Sequence, residues 1–179
     1  MKGFEIRPAN EDDVLVLAAL AEEFMPGEAG AEERIDVLKE SLENRDYELL
    51  VVELEGRTVG FVDQWIVRDF VHGAKLSHIQ SLYVTPQYRG KGIGSKLLQA
   101  IIENAKTKGV SEVHVTTEFN NRRAIELYKR QGLVKESLQL EMGFTLHSDI
   151  VSNGAKKNAM LMSEVLSKVL QHDTFKHTS

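Results

Sequence analysis

The sequence predicts an α/β protein, an α+β mixed sheet flanked by helices, and three observations carry that expectation. Short runs rich in Val, Ile, Leu and Tyr recur between segments whose apolar residues have helical spacing. Two of the runs, 47–55 and 57–67, meet at Glu55-Gly56 as the arms of a hairpin would, which makes them antiparallel. Residues 76–117 read strand, glycine-rich loop, helix, strand. That is a βαβ unit, so part of the sheet is parallel.

In chain order, 4-FEIR-7 reads as a short strand. Asn10 suits a helix N-cap, with Glu11, Asp12 and Asp13 placing acids in the first turn. Apolar positions 14, 17, 18 and 21 form one face of a helix reaching Phe24, and 25-MPGEAG-30 breaks it. An acidic helix is expected over 31–44, then the hairpin strands, then a polar link over 68–75 and a third strand over 76–84. After the glycine loop, apolar residues at 93, 97, 98, 101, 102 and 105 make a helix, with Gly109 as its C-terminal stop. Residues 110–117 alternate as a strand, and 121–132 form a short helix ending at Gly132. Two further strands are expected at 133–137 and 138–146, and a last helix over about 155–170 follows Asn153-Gly154. The tail 171–179 is polar.

With 179 residues the chain is long enough for one domain with a sizeable core. A net charge of −5 and the lack of a basic stripe argue against general nucleic-acid binding. No apolar run approaches the ~20 residues a bilayer requires, and the N-terminus has no apolar stretch typical of a signal peptide. A cytoplasmic location is expected. The absence of cysteine removes disulfides, thiolate metal sites and cysteine nucleophiles. The six histidines show no metal-ligand spacing, so no metal is expected.

The stretch 82-LYVTPQYRGKGIGSKLLQAI-101 carries the chemistry. Glycines before a helix let a ligand approach unpaired N–H groups at the positive end of the helix dipole, which suits a phosphate. Arg89 and Lys91 add charge. The mononucleotide pattern G-x-x-x-x-G-K-[ST] fits no window, and the dinucleotide pattern G-x-G-x-x-G fails at Ser95 and again at Leu97.

Arg89-Gly90-Lys91-Gly92-Ile93-Gly94 does fit R/Q-x-x-G-x-G/A, and 79-IQSLYVTPQYRGKGIGSKLL-98 resembles the strand–loop–helix signature of the GNAT superfamily of acyl-CoA N-acyltransferases. Residues 121-NRRAIELYKRQGL-133 resemble that family's second signature, N-x-x-A-x-x-L-Y-x-x-x-G-F, with Leu133 where Phe is usual. The resemblance covers 1–146, leaving 147–179 as a C-terminal helical extension and tail. It implies a mixed sheet with a splay between two central strands. It also implies acetyl-CoA as cosubstrate and direct attack by an amine in a ternary complex.

Residue by residue, it implies that the amides of Gly90, Lys91, Gly92, Ile93, Gly94 and Ser95 hold the pyrophosphate beside Arg89. The pantetheine arm would lie along Leu82, Tyr83 and Val84. The Leu82 amide would hold the oxyanion, Asn121 would contact the cofactor, and Tyr128 would protonate the departing thiolate. His78 stands where family members carry a base, with Glu118 as its rival; Gln80 shares the strand face of His78 in a regular strand, and His114 reads as core. Tyr128 packed beside Leu127, a strand histidine bonded to a neighbour, and Asn121 as a plain N-cap are the structural alternatives.

The acceptor side is expected near the first two helices, where Glu22, Glu23, Phe24, Met25, Glu28, Glu32 and Glu33 lie, with 68–75 as one wall. Such acids suit a cationic amine or form a solvated helix face. Two other readings compete with the enzyme. One is a CoA-binding sensor or partner module that has lost catalysis. The other is an unrelated nucleotide enzyme, which the failed motif counts disfavour. The amphipathic face over 155–172, with Met162, Val165, Leu166, Val169 and Leu170, leads us to expect a homodimer.

Overall fold

The structure, a computed structural model, describes residues 3–143. The described residues divide into two compact units, one of residues 3–9 and 44–140 and one of 10–43 with 141–143.

The first unit is built on a five-stranded sheet in the order β1-β2-β3-β4-β5, with β1 Glu5–Pro8, β2 Tyr47–Leu54, β3 Arg57–Asp69, β4 Ala74–Val84 and β5 Glu112–Val115. The first four strands pair antiparallel, whereas β4 and β5 are parallel and pair only from Leu76↔Glu112 to Ile79↔Val115. The mixed sheet is therefore as the sequence predicts. β3 and β4 run longer than expected, so the link over 68–75 shrinks to a hairpin tip in which the Asp69 carboxylate accepts from the Val71 amide at 2.9 Å.

Helix α3, Ile93–Thr107, crosses one face of the sheet. Its apolar residues Ile93, Leu97, Leu98 and Ile101 pack with Leu50, Val52, Val59, Val62, Ile79 and Val84 into the core. A buried polar chain also ties this helix to three strands. Gln64 donates to Glu48 and to the carbonyl of Ile101, and accepts from Ser77. Glu48 in turn pairs with Lys108 at 2.7 Å. Buried polar groups matched in this way fix register, because a shift would orphan them.

The β3–β4 ladder slips at Asp63/Gln64, so Gln80 is an extra residue on β4. A bulge of this kind reverses the alternation of side chains. Ser77 and Ile79 lie on the α3 side before it, and Leu82 and Val84 return to that side after it. The regular alternation expected through Gln80 is corrected accordingly.

Helix α4, Arg122–Arg130, ends the ordered elements of this unit. The strands expected at 133–137 and 138–146 do not form over 133–143. The alternation of Leu138, Leu140 and Met142 would suit a half-buried strand. A strand, however, needs a hydrogen-bonded neighbour, and among the described residues no ladder forms here. Leu140 is 85% and Met142 78% exposed. The expected helix over 155–170 lies outside the described residues.

In the second unit, the Asn10 side chain accepts from the Asp12 amide at 2.8 Å and the Asp13 carboxylate accepts from the Asn10 amide at 2.9 Å, around a short 3-10 turn that starts at the N-cap predicted for Asn10. Helices α1, Val14–Phe24, and α2, Ala31–Leu42, follow. Several of the clustered acids have structural tasks. Glu22 pairs with Arg34 at 3.0 Å and accepts from the Gly27 amide, and Glu33 accepts from the Gly30 amide.

Candidate active site

Tyr88 and Arg89 close a 3-10 turn after β4, and the chain then passes through Gly90 and Gly92 with φ of 78° and 81°. Those angles belong to the left-handed region that side chains with a Cβ avoid. A Cβ built at either glycine meets nothing within 4 Å, so the glycines serve the turn rather than a crowded neighbour in the protein. Gly94 is different. Its φ is ordinary and a Cβ would touch Leu127 at 3.8 Å, an unstrained contact.

The turn opens the backbone. The first helical bond here is from the Lys96 amide to the Gly92 carbonyl. Among the described residues, no acceptor meets the amides of Gly90, Lys91, Gly92, Ile93, Gly94 or Ser95. Six such donors lie at or just before the positive end of a 15-residue helix, an arrangement that suits a polyanion. The residues present therefore fit a pyrophosphate.

Beside the loop lies an open strand edge. The Thr85 amide donates to the Val59 carbonyl on β3 at 2.9 Å. Strand alternation then turns the backbone groups of Tyr83 toward β3, and those of Leu82 and Val84 away from it. β5 stops at Val115, opposite Ile79, so no strand covers that side of Leu82 and Val84 among the described residues. The Val84 carbonyl is met by Arg89 Nε at 2.6 Å, and the Arg89 guanidinium lies 5.3 Å from the Tyr83 ring centre. Lys91 lies similarly over Tyr88, at 5.2 Å.

Asn121 Oδ1 accepts from the Ala124 amide at 3.2 Å, so it caps α4 as the plainer alternative supposed. Tyr128 is half-buried against the α3 core together with Leu127. Burial raises its pKa, which keeps the hydroxyl protonated as a donor.

His78 and His114 face each other across β4 and β5, with ring centres 4.9 Å apart. Burial and the neighbouring imidazole both lower the pKa of His78, so the ring is neutral at pH 7. His114 is exposed, not core as expected, because β5 is the edge strand, and it pairs with Glu112 at 3.2 Å. Glu118 is exposed beyond β5. The 68–75 hairpin tip begins eight residues along β4 from Leu82, roughly 26 Å at strand rise, which removes it from this end of the strand.

The motifs leave one residue unseen, Asp63. It is buried at 8% exposure and opposite Ser81 in the ladder. No motif marked it, because the two family signatures lie at 79–98 and 121–133, outside β3.

Among the described residues no group of acids and histidines has a metal-binding arrangement, and no helix is long and apolar enough to cross a membrane.

Comparison with known proteins agrees with this geometry. The acetyltransferase (GNAT) family matches residues 15–133. The chain is 29% identical over 135 residues to the uncharacterized N-acetyltransferase YhfO of Bacillus subtilis, covering 74% of this chain and 91% of that protein. It is 35% identical over 91 residues to an uncharacterized N-acetyltransferase of Methanocaldococcus jannaschii, covering 49% of this chain but 39% of that protein. An aminoglycoside N-acetyltransferase, AAC(6')-Iy, solved in complex with CoA, superposes with a TM-score of 0.70 at 20% identity, covering 81% of this chain and 96% of that one. Glucosamine-6-phosphate N-acetyltransferase from Arabidopsis thaliana gives 0.68 at 23%, covering 80% and 99%.

Proposed function

Because the chain belongs to the acetyltransferase (GNAT) family, an acyl-CoA-dependent family, we propose that it transfers an acetyl group from acetyl-CoA to a primary amine of a small molecule or peptide, by direct attack in a ternary complex. The observation that carries this reading is the pairing of six unmatched amides over 90–95 with the open edge at Leu82 and Val84. The first holds a pyrophosphate and the second takes an amide-bearing arm as an added strand.

Bound acetyl-CoA supplies the activated acyl carbon. The chain supplies the rest. The Leu82 N–H, aimed off the sheet edge, is a fixed dipole for the developing oxyanion and needs no reorganisation at the moment of reaction. His78, neutral at pH 7, takes the proton that a lysine-like amine must lose before it attacks, through water. Tyr128 gives a proton to the departing sulfur. Its raised pKa makes it a weak acid for that task, so aim rather than acidity must do the work. Asn121 and Arg89 border the cofactor's path. The catalytically lapsed CoA sensor finds no support in these features, since loop, edge and tyrosine are all retained.

A homodimer and a cytoplasmic location complete the proposal. Light scattering on the full chain and on a chain ending at Ser152 tests the dimer, which a full-length monomer at tens of micromolar would refute.

Calorimetry with acetyl-CoA, CoA, ATP and NAD, followed by thiol release with an amine panel, tests the activity. CoA species alone should bind, and amine-dependent thiol release should follow. Binding of CoA with no release for any amine would favour the sensor.

A further inference from the structure

We infer, building on the acetyl-transfer reading, that the acceptor enters as an alkylammonium ion and that the Asp63 carboxylate is its counter-ion. Asp63 lies between Val62 and Gln64, both committed to the α3 side, so its side chain takes the opposite face of the sheet. There the Tyr47 hydroxyl donates to Oδ2 at 3.0 Å. Oδ1 is fully buried and has no hydrogen-bond partner. The Ser81 hydroxyl and amide favour the charged form but do not close a bond on Oδ1. No Lys, Arg or His pairs with this carboxyl among the described residues.

Burial is the largest influence and pushes the carboxyl up to about 6, so at neutral pH it is still mostly ionised. A buried charge without a counter-charge is costly, and proteins rarely keep one without a use. The surroundings suit a cation. The Tyr47 and Trp65 rings stand 4.9 Å apart, and Trp65 is opposite His78 in the ladder. Aromatic faces attract ammonium groups. The location suits the reaction as well: Ser81, opposite Asp63, directly precedes Leu82, whose N–H faces the open edge.

The charge balance gives this arrangement a direction. The amine nitrogen forms a bond to the acyl carbon as the carbon–sulfur bond breaks. Of the two protons the ammonium loses, one reaches the sulfur and one reaches solvent. The product is a neutral amide with no claim on the carboxylate, so acetylation itself weakens product retention. The class of acceptor favoured is a lysine- or polyamine-like alkylamine, not a weakly basic arylamine.

Thermal shift at pH 7.5 on the protein saturated with CoA tests this, with butylamine as the protonated probe and aniline as the neutral one. Butylamine should raise the melting temperature above that of the CoA complex, and aniline should not. Asp63→Asn should keep the response to CoA and lose the response to butylamine. In turnover it should raise KM for butylamine at least tenfold while changing kcat less. Should the variant fail to fold, carboxyl 13C resonances of the labelled parent protein give the answer: butylamine should lower the titration midpoint of Asp63. An unmoved midpoint, or a variant that responds to butylamine as the parent does, overturns the inference. A parent protein that responds to CoA but to neither amine overturns it too and leaves the CoA reading intact. No response to CoA would sink the parent reading instead.

Discussion

The α-carbon of Gly60 faces the carbonyl oxygen of Tyr83 so closely that a Cβ there would lie 2.5 Å from it and 3.1 Å from the Val84 α-carbon. Both obstacles are backbone, so no rotamer change relieves them. Gly60→Ala must push β3 and β4 apart where Leu82 and Val84 present their open edge. We expect a stability loss of about 1–3 kcal/mol in urea unfolding and weaker acetyl-CoA binding in calorimetry. An alanine variant as stable as its parent would show that the two strands separate there without strain.

Gly92→Glu should act on the loop alone. It places a side chain at a φ of 81°, at a cost of roughly 1–2 kcal/mol, and sets a carboxylate among the six amides. Acetyl-CoA affinity should fall more than tenfold, or ~1.4 kcal/mol. Gly94→Ala is the control, because its Cβ makes an ordinary contact with Leu127; its fold and melting temperature should be unchanged. Unaltered affinity in Gly92→Glu would remove the loop from the cofactor site.

Tyr128→Phe keeps the ring that packs against the α3 core and deletes only the hydroxyl. Acetyl-CoA binding should persist, while turnover falls by ~10²–10⁴-fold, the usual range for a general acid. Normal turnover would make Tyr128 a packing residue beside Leu127.

The pH profile should report His78. Its lowered pKa places the acidic limb of kcat/KM below the ordinary histidine value of ~6.5. Activity should fall as the ring becomes protonated, and His78→Ala should flatten that limb. A limb unchanged in the variant would move the base elsewhere, with Glu118→Gln the next substitution to measure.

Asp63 makes a separate prediction about stability. Its folded pKa of about 6 stands above its unfolded value of 3.8, so the native state holds the proton more tightly than the unfolded chain. Stability from this group is greatest below pH 3.8 and declines as pH rises to about 6. The difference amounts to about 3 kcal/mol at ~1.4 kcal/mol per unit. Asp63→Asn should therefore stabilise the protein at pH 8 and not at pH 4. Part of that gain is offset by an amide N–H left without an acceptor. Equal effects at both pH values would mean that the carboxyl titrates normally.

The elements with local signals were legible in the sequence. The Asn10 cap, the hairpin at Glu55-Gly56 and the glycine turn into α3 depend on residues close in the chain. What failed depends on distant partners. Leu138, Leu140 and Met142 alternate as a strand does, yet no neighbour pairs with them. His114 reads as core only if another strand lies beyond β5. The bulge at Gln80 has no local signature, and without it the face of Ser81 could not be read.

The open edge at Leu82 and Val84 also bears on how the protein survives without its ligand. Unpaired strand edges invite pairing with other chains, the first step of aggregation. Arg89 blunts the edge by engaging the Val84 carbonyl and laying its charge over Tyr83. A ligand that docks as an added strand would have to displace that contact, and would then shield the edge more fully. Molecules emptied of acetyl-CoA would accordingly be the ones prone to self-association, so cofactor supply would govern the lifetime of the protein as well as its rate of turnover.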